Sequence, residues 1–226
     1  MSSRHLSSSS QAAVSFGSGY LPGFLLPPLA VIVIGVALML VSLGTTLTPV
    51  SAEIQSSDQA NLLSPVFTPE VQYWAGRIRT WAVESGLDPN LVATVMQIES
   101  CGDPRALSRA GAIGLFQVMP YHFAAGEDPY SPDTNALRGL DYLKRSLQAA
   151  VGDPRLALAG YNGGISVIGL SESNWTAQTQ HYAYWGNGIY KEASSGAGQS
   201  PHLQEWLSAN GVSLCRQAHD RLGISP

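Results

Sequence analysis

Glu99 is the residue of this 226-residue chain whose type and position best suit acid–base chemistry. It lies four residues after Val95 and three after Met96, so it falls on or beside the apolar face of a predicted helix. Carboxylates rarely occupy such positions unless they are paired, because removal from water disfavours the ionised form. An acid in apolar surroundings has a raised pKa and holds its proton near neutral pH, as a general acid must. The alternative is a structural ion pair between Glu99 and Arg105 or Arg109.

Downstream of this acid, two segments combine polar side chains with glycines. Residues 108–117 begin with Ser108 and end with Gln117, and residues 160–164 place Tyr161 and Asn162 before two glycines. Glycine lets the backbone approach a ligand closely, and hydroxyl, amide and aromatic groups together suit a polar, ring-shaped ligand such as a sugar. Each of these residues taken singly is also a common turn or cap residue.

The elements that must position these side chains are predicted to be helices. Four helix starts combine an N-cap residue with proline at the first helical position. These starts are Thr68-Pro69, Asp88-Pro89, Asp153-Pro154 and Ser200-Pro201. The first helix is expected to continue to Gly86, and a stripe of leucines predicts another over about 134–151. The stripe consists of Leu137, Leu140, Leu143 and Leu147. A short last helix carries Leu214, Ala218 and Leu222, and no segment alternates as a strand would, so the predicted class is mainly α.

Charge and cysteine content exclude several classes of protein. The net charge is −4 and no basic block is present, which argues against a nucleic-acid-binding protein. Two cysteines are too few for a disulfide-scaffold protein. No Cys/His cluster has metal-ligand spacing, so neither a metal nor a cofactor is expected.

The N-terminal part of the chain has the composition of a membrane-directed segment. Residues 21–51 contain no Asp, Glu, Lys, Arg or His, and the apolar run exceeds the ~20 residues that span a bilayer. Residues 1–52 are therefore predicted to be a tail and a transmembrane or signal segment. Small residues before Ala52 resemble a cleavage site, whereas the length of the run favours a retained anchor. Arg4 predicts a cytoplasmic N-terminus with the remainder exported, and residues 53–67 are expected to be a linker.

Three motifs together resemble a known family. They are IES at 98–100, SRAGAIGLFQVMP at 108–120 and GYNGG at 160–164. In this order and spacing they are similar to the SLT-type lytic transglycosylase domain, which has a lysozyme-like fold and acts on bacterial peptidoglycan. The resemblance covers residues 68–190 and implies that glycan strands of peptidoglycan are the substrate. The remaining residues, 191–226, are expected to form a flexible link, up to about residue 201, and C-terminal helices packed on this domain.

The resemblance also assigns roles to individual residues. Glu99 would be the catalytic acid and base, Ser108 and Gln117 would line the cleft near the reacting sugar, and Tyr161 and Asn162 would close it from the other side. Asn135 matches a structural position at the start of its helix. The implied reaction cleaves the bond between N-acetylmuramic acid and N-acetylglucosamine and leaves a 1,6-anhydro product.

Two other functions stay open at this point. A lysozyme-type hydrolase would need a second carboxylate to hold water. Its sequence candidates are Asp103, Glu127 and Asp128, which stand in turn-like contexts. A wall-binding module without turnover would retain the cleft but not the chemistry.

Two positions depart from the family pattern. Phe116 stands where methionine is usual and is expected to alter a wall of the cleft. Cys101 stands where glycine is common, and its partner would be Cys215, because two cysteines of an exported protein usually pair. Two free buried thiols are the alternative. The location expected is the periplasm or cell wall, either membrane-anchored or secreted after cleavage following Ala52.

Overall fold

The computed structural model describes residues 63–224, which fold into helices joined by turns. The α-helices are α1 (Pro69–Gln72), α2 (Ala75–Ser85), α3 (Pro89–Ser100), α4 (Pro132–Ala149), α5 (Pro154–Gly163), α6 (Ala177–Ser194), α7 (Pro201–Trp206) and α8 (Val212–Leu222). The described residues also contain three 3₁₀ turns, at Pro120–His122, Ile165–Gly169 and Glu172–Asn174, and a π turn at Leu207–Gly211. Within the described residues there is no strand, only isolated bridges from Ile113 to Leu107 and Val118. The prediction of a mainly α fold is confirmed.

No helix within residues 63–224 has the length and apolar character needed to cross a bilayer. The membrane or signal segment predicted in residues 1–52 lies outside the described residues.

Caps and prolines begin the helices where the sequence predicts. Asp88 and Asp153 each accept hydrogen bonds from two backbone N–H groups of the first turn that follows. Gly86 ends α2 with a φ of 69°, a left-handed conformation that glycine adopts without strain. These contacts fix the ends of α2, α3 and α5.

The prediction of one continuous helix from Thr68 to Gly86 is wrong. A turn at Tyr73 and Trp74 interrupts the helix, and there the Trp74 N–H bonds to the carbonyl of Val71 three residues back. The turn brings the indole N–H of Trp74 to the carbonyl of Gly102, at 2.9 Å. This contact anchors the start of the domain to the segment that follows α3.

Helix α6 was not among the predicted helices, because its sequence is rich in aromatic residues and contains Gly186 and Gly188. Both glycines lie at close contacts between helices, and the contact is tightest at Gly188. A Cβ at Gly188 would lie 2.1 Å from the His202 ring, and one at Gly186 would lie 3.0 Å from Leu158. The helix also occupies the beginning of the stretch expected to be a flexible link after residue 190, since it continues to Ser194.

The core surrounds α3, in which residues 91–97 are all buried. Leu140 and Leu143 of α4 pack into it as predicted. Leu137, expected in the same stripe, is 62% exposed, because it lies beside a groove between α2 and α4 rather than under a neighbouring helix.

A disulfide between Cys101 and Cys215 joins the end of α3 to α8. The predicted bridge is confirmed, and the alternative of two free thiols is wrong. Beside it, the buried carboxylates of Glu70 and Asp103 contact His219 and Arg221 of α8, at 3.1 and 3.3 Å. The C-terminal helix is therefore fixed to the residues that directly follow Glu99.

Candidate active site

Glu99 occupies the last turn of α3, at the base of a cleft. Helix α3 ends at Cys101, whose φ of 50° is left-handed. The hydroxyl of Ser100 donates to the carbonyl of Leu115 at 2.7 Å, which holds the 108–118 segment against the end of the helix. The backbone on both sides of Glu99 is thereby fixed.

Burial raises the pKa of the Glu99 carboxyl to about 7, and the neighbouring Tyr182 hydroxyl offsets only part of this shift. Burial, together with the charge of Glu99, in turn raises the pKa values of Tyr182 and Tyr161 well above their usual value. None of the ion pairs among the described residues includes Glu99, so pairing with Arg105 or Arg109 is not what holds this acid. Glu99 is therefore set up to carry a proton near neutral pH.

The segment from Ser108 to Gln117 forms one wall of the cleft. Ser108 accepts a hydrogen bond from the Ala112 N–H at 2.9 Å, and the side chain of Gln117 donates to the carbonyls of Ala106 and Gly114. Gln117 also has a φ of 46°, an uncommon conformation for a side-chain-bearing residue. Local hydrogen bonds thus hold both predicted binding residues in a tight loop.

Asn135 connects this loop to α4. Its amide oxygen accepts from the Phe116 N–H at 2.9 Å, and its amide nitrogen donates to the carbonyls of Ile113 and Pro129. The side chain is buried, so the bond to Phe116 is shielded from water and the other two are partly shielded. Asn135 therefore fixes the loop as well as the beginning of its own helix.

The end of α5 forms the facing wall. Tyr161 donates its hydroxyl hydrogen to the carbonyl of Phe116 at 2.7 Å, and the Asn162 side chain accepts from Thr179 of α6 at 3.2 Å. A Cβ at Gly163 would lie 2.8 Å from the Thr179 hydroxyl, which explains the glycine after Asn162.

All five predicted site residues line one cleft of about 480 Å³. Its walls comprise Glu99, Ser108, Ala110, Ala112, Gln117, Val118, Met119, Tyr121, His122, Gly139, Tyr142, Tyr161, Asn162, Gly163, Gly164 and Gln178. Glu99 is the only carboxylate among these described lining residues. The cleft has the size of a small-ligand site and combines aromatic rings with amides and one acid.

Sequence reasoning missed part of an aromatic series along this cleft. The ring of Tyr161 lies 5.7 Å from that of Tyr142, which lies 5.0 Å from His122, which lies 4.6 Å from Tyr121. Tyr121, at the outer end, is 75% exposed. The sequence does not predict Tyr142 as a cleft residue, because it lies within the leucine-rich helix α4. Only the fold brings it beside Tyr161.

Comparison with known proteins gives the family. The model of the transglycosylase SLT domain matches residues 76–185, which include Glu99 and every lining residue of the cleft. Residues 76–185 are a transglycosylase SLT domain. The match lies within the 68–190 region for which the resemblance was predicted.

Curated relatives of the SLT domain are transglycosylases. The transglycosylase of Enterobacteria phage PRD1 is 37% identical over 114 residues, which are 50% of this chain and 40% of the relative. The endo-type membrane-bound lytic murein transglycosylase A of Klebsiella pneumoniae is 32% identical over 79 residues, 33% of this chain and 38% of the relative. The membrane-bound lytic murein transglycosylase C of Haemophilus influenzae is 37% identical over 81 residues, 29% of this chain and 22% of the relative. The chain thus spans less than half the length of these relatives.

A solved structure of an inactive mutant of the lytic transglycosylase Slt from Pseudomonas aeruginosa aligns with a TM-score of 0.40 and 21% identity. The alignment covers 68% of this chain and 25% of that one.

One expectation about the SLT cleft is wrong. Phe116 does not form a cleft wall; its ring is fully buried and meets the edge of Trp81, with centroids 6.0 Å apart. Gly139 makes room for it, since a Cβ there would lie 2.5 Å from that of Phe116. The backbone of Phe116, rather than its ring, serves the cleft by binding Asn135 and Tyr161.

The carboxylates considered as partners of Glu99 in a hydrolase lie elsewhere in the SLT domain. Asp103 is buried and bound to Arg221 at 3.3 Å, and Glu127 forms an ion pair with Arg138 at 2.6 Å. Asp128 accepts from the backbone of Tyr130 in a turn. None of these three lines the cleft.

Proposed function

We propose that this protein is a lytic transglycosylase that cleaves the β-1,4 bond between N-acetylmuramic acid and N-acetylglucosamine in peptidoglycan. The supporting observation is a single carboxyl, Glu99, with its pKa raised to about 7, at the base of a sugar-sized cleft in an SLT domain. The names of the relatives, lytic murein transglycosylases among them, point to the same reaction.

In the first step, protonated Glu99 donates its proton to the glycosidic oxygen. The bond between that oxygen and C1 of the N-acetylmuramic acid breaks, and the N-acetylglucosamine end leaves with a free hydroxyl. Positive charge develops at C1 in an oxocarbenium-like transition state. Hydrogen bonds from the cleft and the substrate's own N-acetyl group stabilise this centre. A pKa near 7 leaves a large fraction of Glu99 protonated at neutral pH, as this step requires.

In the second step, Glu99 acts as the base. Its carboxylate removes the proton of the C6 hydroxyl of the same sugar, and the oxygen attacks C1 to close the 1,6-anhydro ring. Glu99 is protonated again and ready for another turnover. One carboxyl therefore performs both proton transfers, and no water enters the products.

The lysozyme-type alternative needs a second carboxyl, about 5 to 9.5 Å from the first. The side chains that could have supplied it are Asp103, Glu127 and Asp128, and all three are engaged outside the cleft. This arrangement favours the anhydro product over hydrolysis.

The test is digestion of purified peptidoglycan by the full chain, with product masses measured. Anhydro ends lie one water below the reducing ends of a hydrolase. Glu99→Gln should abolish the products without loss of fold, whereas Glu84→Gln, an exposed acid on α2, should leave the rate unchanged. Substantial turnover by Glu99→Gln would refute the assignment of Glu99. Binding without any product from the unaltered chain would indicate a wall-binding module instead.

Residues 1–52 are the proposed export and anchoring segment, 53–67 the linker, 68–190 the catalytic domain and 191–226 its C-terminal addition. The charge-free stretch at 21–51 and the membrane-bound relatives support a tether facing the periplasm or cell wall. Membrane fractionation and the N-terminal sequence of the mature protein test it. A new terminus after Ala52 would show cleavage and secretion.

A further inference from the structure

A second cavity, of about 270 Å³, adjoins the cleft at Glu99. Its lining residues are Ile98, Glu99, Asn162, Gln178, His181, Tyr182, Trp185 and Trp206. It shares Glu99, Asn162 and Gln178 with the cleft. The cleft extends from these shared residues toward the 108–122 segment and α4, whereas the second cavity extends toward α6 and α7. The acid therefore lies where the two cavities meet.

Trp206 comes from outside the SLT domain, since the family match ends at residue 185. Contacts with α6 fix the helix that carries it. Glu192 accepts hydrogen bonds from Ser200 and His202 at the start of α7, both at 2.5 Å. The Trp206 ring in turn packs on the backbone of Gly211, where a Cβ would lie only 2.5 Å away.

The disulfide fixes the rest of this C-terminal segment. It connects α8 to Cys101, two residues beyond Glu99. Both ends of the segment are therefore held by contacts with the catalytic domain, and Trp206 is a defined wall of the cavity.

The chemistry of the lining matches a sugar. The exposed His181 ring lies 5.2 Å from that of the partly buried Trp185, and the two provide an apolar face. Trp206, which is only 6% exposed, adds a rigid aromatic part of the wall. The amides of Asn162 and Gln178 supply donors and acceptors for hydroxyl and acetamido groups. No Lys or Arg lies among the described lining residues of this cavity or of the cleft, so charge does not decide which sugar each of the two cavities binds.

We propose that the C-terminal segment completes the substrate site, with Trp206 and His181 forming the wall that binds the sugar unit on one side of the scissile bond. This assignment rests on the proposed function. The other sugar unit then occupies the cleft beside Tyr161 and Asn162, and the glycosidic oxygen lies at Glu99 between the two sugars.

Steady-state kinetics on soluble glycan strands test the site, using the full chain. Trp206→Leu and His181→Ala should each raise KM about fivefold to tenfold, as expected for one lost stacking contact, with a smaller change in kcat. Trp206→Phe keeps an aromatic wall and should remain close to the unaltered enzyme. His181 is exposed, so its replacement tests the site even if Trp206→Leu fails to fold. An unchanged KM in His181→Ala and in a folded Trp206 variant would overturn the proposal.

A binding measurement separates this proposal from the proposed function. Glu99→Gln is titrated with the tetramer of N-acetylglucosamine while tryptophan fluorescence is followed. A saturable change that weakens at least fivefold on adding His181→Ala supports the site, and equal affinities refute it. If the unaltered protein releases no product from peptidoglycan, the proposed transglycosylase function is refuted, whatever this titration shows.

Discussion

At the scale of single residues, burial raises the pKa of Glu99, and the same burial lowers the stability of the folded state when Glu99 ionises. The carboxyl stands in the last turn of a helix whose residues 91–97 are all buried, and burial raises its pKa to about 7. In the unfolded chain the same group titrates near 4.5. Between pH 4.5 and pH 7, the folded state therefore keeps a proton on Glu99 that the unfolded state has already lost.

This difference in pKa predicts that Glu99 lowers the free energy of unfolding as the pH rises. As pH rises from 4.5 to 7 the unfolded state binds fewer protons than the folded state, so stability falls, by about 3 kcal/mol in total. Glu99→Gln, which cannot ionise, should match the unaltered protein near pH 4.5 and exceed its free energy of unfolding by about this amount at pH 8. Urea unfolding of both proteins at the two pH values measures the difference. A constant difference across this range would contradict the raised pKa.

Helical spacing placed Glu99 on or beside the apolar face of its helix, and the resemblance to the SLT-type domain then indicated it as the acid of the site. The sequence did not predict the positions of Phe116 and Tyr142. Both lie in segments whose facing neighbours come from distant parts of the chain, so local pattern carries no information about which side chain reaches the cleft. Gly139, which admits the Phe116 ring, marks that contact only once the fold is known.

At the scale of elements, one wall of the cleft is a loop that two helices hold in position, so no single helix forms the cleft. Asn135 of α4 and Tyr161 of α5 both bond to the backbone of Phe116, so two helices fix the loop that carries Gln117. The aromatic series then continues along α4 to the 3₁₀ turn Pro120–His122.

The exposed end of that series predicts a dependence on glycan length. Tyr121→Ala should raise KM for long glycan strands about threefold to tenfold through loss of one stacking surface, and should leave short oligosaccharides unaffected. Tyr73→Ala removes a similarly exposed tyrosine that does not line the cleft and serves as the matched control. Kinetics on glycans of defined length give the comparison. Equal losses on short and long substrates would show that Tyr121 does not bind distant sugars.

The elements themselves were predictable where capping residues mark them, and less so where tertiary contacts decide. Asp88 and Asp153 identify their helices from sequence because the cap is local. Helix α6 contains Gly186 and Gly188, which weaken its intrinsic propensity and allow close packing against Leu158 and His202. Such a helix is recognised only when its partners are in place.

At the scale of the whole molecule, net charge bears on the proposed attachment to the cell wall, and covalent linkage bears on the stability of the domain. Residues 1–52 contain a single cation, Arg4, and no acid, so the remainder of the chain has a net charge of −5 against −4 for the whole. A domain of this charge gains no electrostatic attraction to an anionic wall. Under the proposed function, retention at the wall would depend on the proposed tether and on the cleft.

The disulfide is the covalent part of this arrangement, and its removal should destabilise the whole described domain. Cys101 and Cys215 are 114 residues apart, and closing so long a loop contributes about 4–5 kcal/mol in the chain-entropy model. Cys101→Ala/Cys215→Ala should lose about this much free energy of unfolding, with a lower Tm by calorimetry. Reductant should lower the Tm of the unaltered protein and leave that of the double variant unchanged. If the two proteins had equal Tm under oxidising conditions, the contacts of Glu70 and Asp103 with α8 would suffice to hold the C-terminal helix without the bond.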